Sequence, residues 1–218
     1  MEEPVIYQLH PPNSWSEAWA NTLFRKKIIG AVILFLLLLI VLPFFFAVIE
    51  TRKGVVLNDW LLPFIPARDV SITIFIMLWS TSLLMIIRCI QQPAIFLMAI
   101  YLLIAITLTR LITISLIPLD PPSGLIVLKD PITSLTYGGL RVFITKDLFF
   151  SGHTANLFMF YLCLQKKRDK QFAIFATIIV GSLLLVQHVH YAVDVIAALL
   201  FTYALTIWAR RLKFFAIR

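Results

Sequence analysis

The sequence predicts an all-α integral membrane protein, a bundle of six transmembrane helices with both termini in the cytoplasm. Hydrophobic residues make up 61% of the 218-residue chain and charged residues only 14%, whereas about a quarter of the residues in soluble domains are charged. The apolar residues occur in long runs, and an α-helix needs about 20 of them to cross the hydrocarbon core of a bilayer. Lysine and arginine are also distributed unequally between the two sides of the predicted bundle.

Polar or proline-containing connections separate the predicted spans within a membrane domain at residues 28–209. The first span follows a basic triplet at residues 25–27. The longest connection, residues 118–146, is long enough to have a function of its own. We place the six spans at residues 28–49, 70–87, 94–116, 148–164, 172–186 and 191–209.

Two short pieces flank the membrane domain. Residues 1–27 are polar and mixed, and Trp15, Trp19 and Leu23 would share one side of a short helix, which fits a helix lying on the membrane surface. A loosely ordered tail fits this cytoplasmic piece equally well. Residues 210–218 form a basic and aromatic tail that suits an anchor to anionic lipid. The sequence shows no internal repeat and no second domain.

The lysine and arginine residues orient the chain. With the N-terminus in the cytoplasm, 12 of the 19 basic side chains fall on the inner side, six fall in outer connections and Arg110 lies within a span. This excess predicts that both termini are cytoplasmic. It also explains the net charge of +8 without a nucleic-acid partner, because basic cytoplasmic loops are common in membrane proteins.

Three of the four histidines lie in two short pieces of this apolar chain, residues 147–154 and 188–195. The predicted topology places these pieces at the outer ends of the fourth and sixth spans, and Arg110 at the same depth in the third. Ionisable groups inside a membrane are costly unless they are paired or used. We therefore interpret the two pieces as halves of one active site on the non-cytoplasmic face.

His190 and Asp194 are four residues apart, which puts them on one face of a helix. A carboxylate beside a histidine selects the tautomer and stabilises the imidazolium form, so the other ring nitrogen can act as a nucleophile or a base. A structural His–Asp pair at the start of the helix is the alternative. His188 has no carboxylate at helical spacing, and we place it in the preceding loop.

His153 follows Ser151 and Gly152. Ser151 can cap the helix that follows, and glycine lets another group approach the backbone closely. The free N–H groups and the positive dipole end of such a terminus suit a phosphate, and His153 would then donate or accept a proton there. The alternative is an interfacial histidine that meets lipid headgroups.

Arg110 and Asp147 complete the set of candidate residues. A guanidinium can hold two phosphate oxygens, although an arginine in a span can also extend to the interface. Asp147 can orient a histidine or bind a polar headgroup, and a solvated loop carboxylate is the alternative. Cys89 and Cys163 fall in or beside apolar runs and are interpreted as packing residues. No disulfide or metal motif is visible, so the sequence predicts neither a metal nor another cofactor.

Together these motifs resemble the sphingomyelin synthases and the related ceramide phosphoethanolamine and inositol-phosphoceramide synthases. The segment Asp147 to Thr154 reads Asp-x-x-Phe-Ser-Gly-His-Thr, like the third signature of that family. The segment His190 to Ala198 reads His-Tyr-x-x-Asp-Val-x-x-Ala, like the fourth. The resemblance extends over roughly residues 70–205 and implies six spans with an outer-face or lumenal site.

The resemblance implies a two-step transfer from a phospholipid donor to a lipid alcohol acceptor resembling ceramide. His190, oriented by Asp194, would attack the phosphorus and become a phosphohistidine. His153 would protonate the departing diacylglycerol and then deprotonate the acceptor. The residues expected to bind the substrate are Arg110, Asp147, Ser151, Gly152 and Tyr191.

Two other functions remain open. A lipid phosphate or polyprenyl diphosphate phosphatase resembles this chain in Ser-Gly-His and His-x-x-x-Asp, but such enzymes usually carry a Lys-x6-Arg-Pro signature, and no Arg-Pro occurs here. A non-catalytic scaffold, channel or transporter would usually have lost one of His153, His190 and Asp194, and all three are present. The sequence leaves open the headgroup, the acceptor, the oligomeric state, including a homo-oligomer, and the membrane (bacterial inner, Golgi or plasma).

Overall fold

A computed structural model of the protein describes residues 12, 14–128 and 144–211. These residues form seven α-helices and one 3-10 helix, Leu62–Phe64, and within them no β-strand occurs beyond an isolated bridge between Val55 and Leu119. The α-helices are α1 Trp15–Ala20, α2 Thr22–Thr51, α3 Ser71–Gln91, α4 Pro93–Leu116, α5 Gly152–Cys163, α6 Lys167–Val186 and α7 Ala192–Arg211. The predicted all-α class is confirmed for these parts of the chain.

Five helices, α2, α3, α4, α6 and α7, are long and apolar enough to cross a membrane. The 30 residues of α2 correspond to about 45 Å, well over the thickness of a hydrocarbon core. Large apolar side chains cover the outward faces, among them Phe44, which is 72% exposed, and Ile72, which is 78% exposed. Such faces fit contact with lipid tails, because helices satisfy their own backbone groups. The protein is therefore a multi-pass integral membrane protein.

The predicted count of six full-length spans is not confirmed. The segment expected to form the fourth span, residues 148–164, is helical only over the 12 residues of α5, Gly152–Cys163. A helix of that length covers about 18 Å, less than the roughly 30 Å of a hydrocarbon core. Residues 144–151, although partly apolar, form no regular secondary structure. The reason is that neighbouring side chains bind their backbone groups, as described below.

Helix α5 lies at the centre of the bundle, where it contacts α3, α4, α6 and α7. Small residues make this possible, because Ala155, Ala197 and Ala198 are all buried in the cluster around α5 and allow the helices to approach closely. Phe150, just before α5, stacks on Phe201 of α7 with ring centroids 4.9 Å apart. This packing fixes the N-terminal end of α5 against α7.

The N-terminal end of the described chain packs on the end of the bundle where α3 is followed by α4. The sequence leaves open a short helix on the membrane surface or a loosely ordered tail in this piece. The structure has a helix, α1 at Trp15–Ala20, with Ser14 as its N-cap, and its position on the membrane surface stays a prediction. The Trp15 indole donates a hydrogen bond of 2.7 Å to the Ile90 carbonyl and packs on the Phe96 ring. Residues 1–11 and 13 of the predicted N-terminal segment lie outside the described residues.

Two segments, residues 52–70 and 118–128, cover the opposite end of the bundle, and we call them the outer segments because the sequence predicts that this end faces outward. They are hydrogen-bonded to each other, since the Val55 amide donates to the Pro118 carbonyl at 2.9 Å and the Asp120 amide to the Val55 carbonyl at 3.1 Å. Each segment also donates a backbone hydrogen bond to the end of α6 or the residue after it. The Arg68 amide donates to the Val186 carbonyl at 3.0 Å, and the Ile126 amide donates to the Gln187 carbonyl at 3.1 Å. These segments therefore enclose the turn that leads into His190.

Some predictions fall on other parts of the chain. The rest of the predicted long loop, residues 129–143 with Lys129 and Arg141, lies outside the described residues, and so do tail residues 212–218. The first two basic residues of the predicted tail, Arg210 and Arg211, belong to the last turn of α7. The cytoplasmic position of both termini stays a prediction.

Candidate active site

The structure brings His190 and Asp194 together as their spacing predicts. His190 Nδ1 lies 3.3 Å from Asp194 Oδ2, and the same oxygen accepts a hydrogen bond of 3.1 Å from the Tyr191 amide. Both side chains are buried. Asp194 lies in the first turn of α7, where the helix dipole favours a negative charge. With Nδ1 held by the carboxylate, Nε2 is the ring nitrogen left for chemistry.

Asp194 Oδ1, the second carboxylate oxygen, is buried and has no hydrogen-bond partner among the described residues. Buried polar atoms are nearly always hydrogen-bonded, so the exceptions call for an explanation. The side-chain hydrogen bonds of Asp194 are therefore concentrated on Oδ2, the oxygen that faces His190. The backbone carbonyl of Asp194 accepts a hydrogen bond of 3.2 Å from the Ser151 amide.

That bond joins the start of α7 to the start of α5, the helix that carries His153. Ser151 is the N-cap of α5, as predicted, and its hydroxyl accepts from the Thr154 amide at 3.4 Å. His153 is the second residue of α5 and is half-buried. The two histidine pieces, which are about 40 residues apart in the sequence, therefore meet at one end of the bundle.

Gly152 lies directly against the guanidinium of Arg110. A Cβ atom at Gly152 would lie 2.5 Å from Arg110 Nη1 and 2.6 Å from Cζ, closer than the atoms can approach. Only glycine therefore lets the guanidinium pack against the first turn of α5. This contact explains the glycine of the Ser-Gly-His motif and places a cation at the end of α5 where backbone N–H groups have no partner within the helix.

Arg110 extends from α4 into the protein and not along the interface. Its Nε donates a hydrogen bond of 2.9 Å to the Phe150 carbonyl, and its guanidinium also pairs with the Asp147 carboxylate. One turn later on α4, the Thr113 hydroxyl donates to the Phe149 carbonyl at 2.9 Å. These bonds engage carbonyls that a helix over 148–164 would have used internally, which is why α5 begins only at Gly152.

Asp147 interacts electrostatically with three other ionisable groups of the site. Burial raises the pKa of Asp147, but the charge and hydrogen bond of Arg110, followed by the charges of His190 and His153, outweigh it and hold the pKa below its ordinary value. Both histidines are thus close enough to act on one carboxylate. The structure gathers the five ionisable groups predicted for the site: Arg110, Asp147, His153, His190 and Asp194.

A second group of residues, which sequence reasoning missed, holds segment 144–151 in place. The Glu50 carboxylate, near the end of α2, accepts from the Thr145 amide at 2.6 Å, from the Thr145 hydroxyl at 2.9 Å and from the Lys146 amide at 2.7 Å. Lys146 in turn pairs with Asp120 at 2.8 Å. The only sequence signal is an acidic residue that ends a long apolar run, and that position does not identify a partner 95 residues away.

Asp59 is a further residue that the sequence does not identify. Its carboxylate accepts from the Leu61 amide at 2.7 Å, from the Leu62 amide at 3.0 Å and from the Ala192 amide at 2.7 Å. Burial raises the pKa of Asp59, but these backbone bonds and the charge of His188 lower it below the ordinary value. Asp59 therefore supports the first turn of α7 from an outer segment.

Tyr191, just before α7, is hydrogen-bonded to both outer segments. Its side chain is buried, and its hydroxyl donates to the Asp120 carbonyl at 2.8 Å and accepts from the Leu57 amide at 3.2 Å. The hydroxyl thus has two main-chain partners, and a role of Tyr191 in binding substrate stays a prediction. Among the described residues no group of three or more His, Cys, Asp and Glu side chains is arranged to hold a metal ion, and both cysteines are free.

A comparison with known families matches residues 146–211 to the C-terminal domain of the PAP2 superfamily. The matched part is less than a third of the chain and contains α5, α6, α7 and both histidine motifs. It supports a relation to the lipid phosphatases and a membrane phosphatase or phosphotransferase activity in general. No curated protein and no solved structure matches the chain. Arg110, Glu50 and both outer segments lie outside the matched residues.

Proposed function

We propose that the protein transfers a phosphoryl headgroup, phosphocholine or phosphoethanolamine, from a glycerophospholipid to a ceramide-like lipid alcohol through a phosphohistidine. The proposal depends on one observation above all: the His190–Asp194 pair, the start of α5 with His153, and the Arg110–Asp147 pair meet at one end of the bundle. The Ser151–Asp194 hydrogen bond and the Gly152–Arg110 contact join them.

In the first step, the Nε2 lone pair of His190 attacks the phosphorus of the donor lipid. The bond between phosphorus and the diacylglycerol oxygen breaks, and His153, as an imidazolium, donates its proton to that oxygen. The products are diacylglycerol and a headgroup phosphate bonded to His190. Asp194 holds Nδ1 and stabilises the positive charge that develops on the ring.

In the second step, His153 removes the proton of the acceptor's primary hydroxyl while the oxygen attacks the phosphorus. The phosphorus–nitrogen bond breaks, so His190 returns to its neutral form and His153 to its imidazolium form. Charge on the phosphoryl oxygens increases during each step, and such reactions depend mainly on positioning and electrostatic stabilisation.

Arg110 is suited to supply that stabilisation. Nε and one terminal N–H are already bonded to Phe150 and Asp147, which leaves other N–H groups of the guanidinium for phosphate oxygens. The bond to Phe150 also fixes the plane of the guanidinium, so little freedom is lost on binding. Ser151 and Gly152 contribute by placing the first turn of α5 beside it.

A lipid phosphate or polyprenyl diphosphate phosphatase is the second candidate, and the PAP2 match supports it equally. The first step would be the same, and water would replace the lipid alcohol in the second. The resemblance of both histidine motifs to the sphingomyelin synthases, and the lack of Arg-Pro in the sequence, favour transfer. With both termini in the cytoplasm, the site would open on the non-cytoplasmic face of the membrane.

Purified protein in liposomes tests headgroup transfer and distinguishes it from hydrolysis of the same donor. The liposomes contain headgroup-labelled phosphatidylcholine or phosphatidylethanolamine, with and without ceramide. We expect label to move to ceramide for wild type, not for His190→Ala, and at the wild-type rate for the control His10→Ala. Release of label as a water-soluble product regardless of ceramide would identify a hydrolase. A His190→Ala variant as active as wild type would rule out the phosphohistidine.

A further inference from the structure

His188 is a buried histidine that the proposed reaction does not use. It lies in the turn between α6 and α7, two residues before His190, and is 8% exposed. Its backbone has φ 54°, a left-handed conformation that is uncommon outside glycine and is kept only where surrounding contacts hold it. Contacts around His188 must therefore hold this conformation.

Both ring nitrogens of His188 face backbone carbonyl oxygens. Nδ1 lies 2.9 Å from the Ser123 oxygen and Nε2 lies 2.9 Å from the Ile65 oxygen. A carbonyl oxygen only accepts hydrogen bonds, and a neutral imidazole has one N–H donor and one lone pair. A neutral ring would therefore direct a lone pair at one of the two oxygens, whereas an imidazolium donates to both.

The two carbonyls belong to different outer segments. Ile65 lies in segment 52–70 and Ser123 in segment 118–128. Gly124, next to Ser123, has φ +84°, and a Cβ atom there would lie 3.1 Å from His188 Nδ1. The backbone of the second segment can therefore approach the ring this closely because residue 124 is glycine.

Ionisable groups lie on all three parts of the chain that meet at His188. From segment 52–70, Asp59 interacts electrostatically with His188. The same segment also contains Arg52, Lys53, Arg68 and Asp69, and the last is hydrogen-bonded to Ser71. Segment 118–128 contains one ionisable side chain, Asp120, which is paired with Lys146. In residues 189–194, which follow His188, the ionisable groups are His190, Tyr191 and Asp194.

We propose that His188 is a positioning residue, held as an imidazolium, that ties both outer segments to the turn carrying His190. The segments in turn support the start of α7, since Asp59 accepts from the Ala192 amide at 2.7 Å and the Asp120 carbonyl accepts from the Tyr191 hydroxyl at 2.8 Å. When the ring loses a proton, one of its two hydrogen bonds becomes a lone-pair contact, and one segment is released.

The effect on the segments is limited by neighbouring contacts that do not titrate. The Gln187 side chain donates to the Ser71 hydroxyl at 2.8 Å and accepts from the Val70 amide at 3.2 Å. These bonds keep the end of segment 52–70 next to α3 attached whether His188 is protonated or neutral. We therefore expect local loosening of the outer segments, and not unfolding of the bundle.

The protonation state can be measured directly in wild-type protein. The chain has only four histidines, so a nitrogen NMR spectrum of protein with isotope-labelled histidine in nanodiscs contains few ring signals. His10→Gln, His153→Gln and His190→Gln assign His188 by elimination, even if a His188 variant fails to fold. Two protonated ring nitrogens for His188 at neutral pH are expected. A neutral tautomer under those conditions overturns the proposal.

Hydrogen exchange tests what the proton does. After correction for the intrinsic rate, exchange of backbone amides in residues 55–70 and 118–128 should rise by about tenfold as His188 loses its proton, because one charge-assisted hydrogen bond is lost. His188→Gln should show the fast exchange at every pH, and His10→Gln should follow wild type. Exchange in both segments that is unchanged across the titration contradicts the proposal. Neither measurement uses turnover, so both results are independent of the proposed phosphotransfer.

Discussion

Helices α2 and α5 are both apolar, yet they have opposite relations to the rest of the protein. Of the 30 residues of α2, six are buried, and α2 packs mainly against α4. Of the 12 residues of α5, six are buried, and α5 contacts four other helices. Lipid tails can therefore cover most of the apolar surface of α2, whereas protein surrounds α5. Apolar composition alone does not distinguish a helix stabilised by the bilayer from one stabilised by its neighbours.

The two helices should also differ in how strongly activity depends on their side chains. In the interior, Ser151, Gly152 and Asp194 each contact a specific group of a neighbouring element. On the lipid-facing surface of α2, substitutions that preserve apolar character should matter little. One end of α2 is the exception, since Glu50 binds the segment that carries Asp147. Variants chosen in pairs, one at the site and one facing lipid, can test this division.

The largest effect is expected for Asp194→Asn. The amide keeps the shape but removes the charge that selects the His190 tautomer and stabilises its imidazolium, and loss of such a carboxylate lowers kcat by about 10⁴-fold in a related arrangement. The measurement is headgroup transfer in liposomes, with thermal unfolding in detergent as a check of folding. Less than a tenfold loss of activity in a folded variant would leave Asp194 only a structural role.

The second prediction compares two glycines. Gly152→Ala should lower activity by about 100-fold, since its Cβ would displace the Arg110 guanidinium, and small displacements of a positioned group have effects of that size. In Gly30→Ala, on α2, the new Cβ meets no atom within 4 Å. Activity there should be unchanged and unfolding free energy raised by up to about 1 kcal/mol.

Equal losses of activity in the two glycine variants would contradict the comparison, because the site and the lipid-facing helix would then be equally sensitive. Transfer assays at a fixed protein-to-lipid ratio provide the measurement, and the unfolding midpoint of each variant provides the control for folding.

The third prediction concerns Glu50. Glu50→Gln replaces the carboxylate that accepts hydrogen bonds from Thr145 and Lys146 with a neutral amide. We therefore expect a loss of about 1–3 kcal/mol of unfolding free energy and a reduced kcat. Phe44→Leu, on the same helix, should change neither quantity measurably, because Phe44 is 72% exposed. Unfolding in detergent and headgroup transfer measure both variants. If Glu50→Gln behaves like Phe44→Leu, segment 144–151 is held in place without Glu50.

The smallest effect is a pH dependence that belongs to Asp147. The pKa of Asp147 is lowered, so the stability that its charge contributes is complete above the ordinary carboxyl value of about 4 and declines as pH falls through the lower folded value. The difference in unfolding midpoint between wild type and Asp147→Asn should therefore be constant from neutral pH to about 4 and shrink below it. A difference that disappears between neutral pH and 5 would mean that burial prevails over Arg110.

Local patterns in the sequence determined much of this protein. Long apolar runs specify membrane helices because each helix satisfies its own backbone groups in lipid. The spacing of His190 and Asp194 and the Ser151 cap are also local, since they depend on contacts within one helical turn. The structure confirms these geometries, and it places Arg110 beside Gly152, at the start of the helix that carries His153.

Only the tertiary structure decided where α5 begins and what surrounds the two histidines. Residues 148–151 are apolar enough to continue a helix, but Arg110, Thr113 and Glu50 take up the backbone groups of segment 144–151 from other helices. Asp59, Tyr191 and His188 likewise acquire partners more than 60 residues away. Such pairings depend on how the helices and outer segments pack in three dimensions, and no periodicity along the chain encodes them.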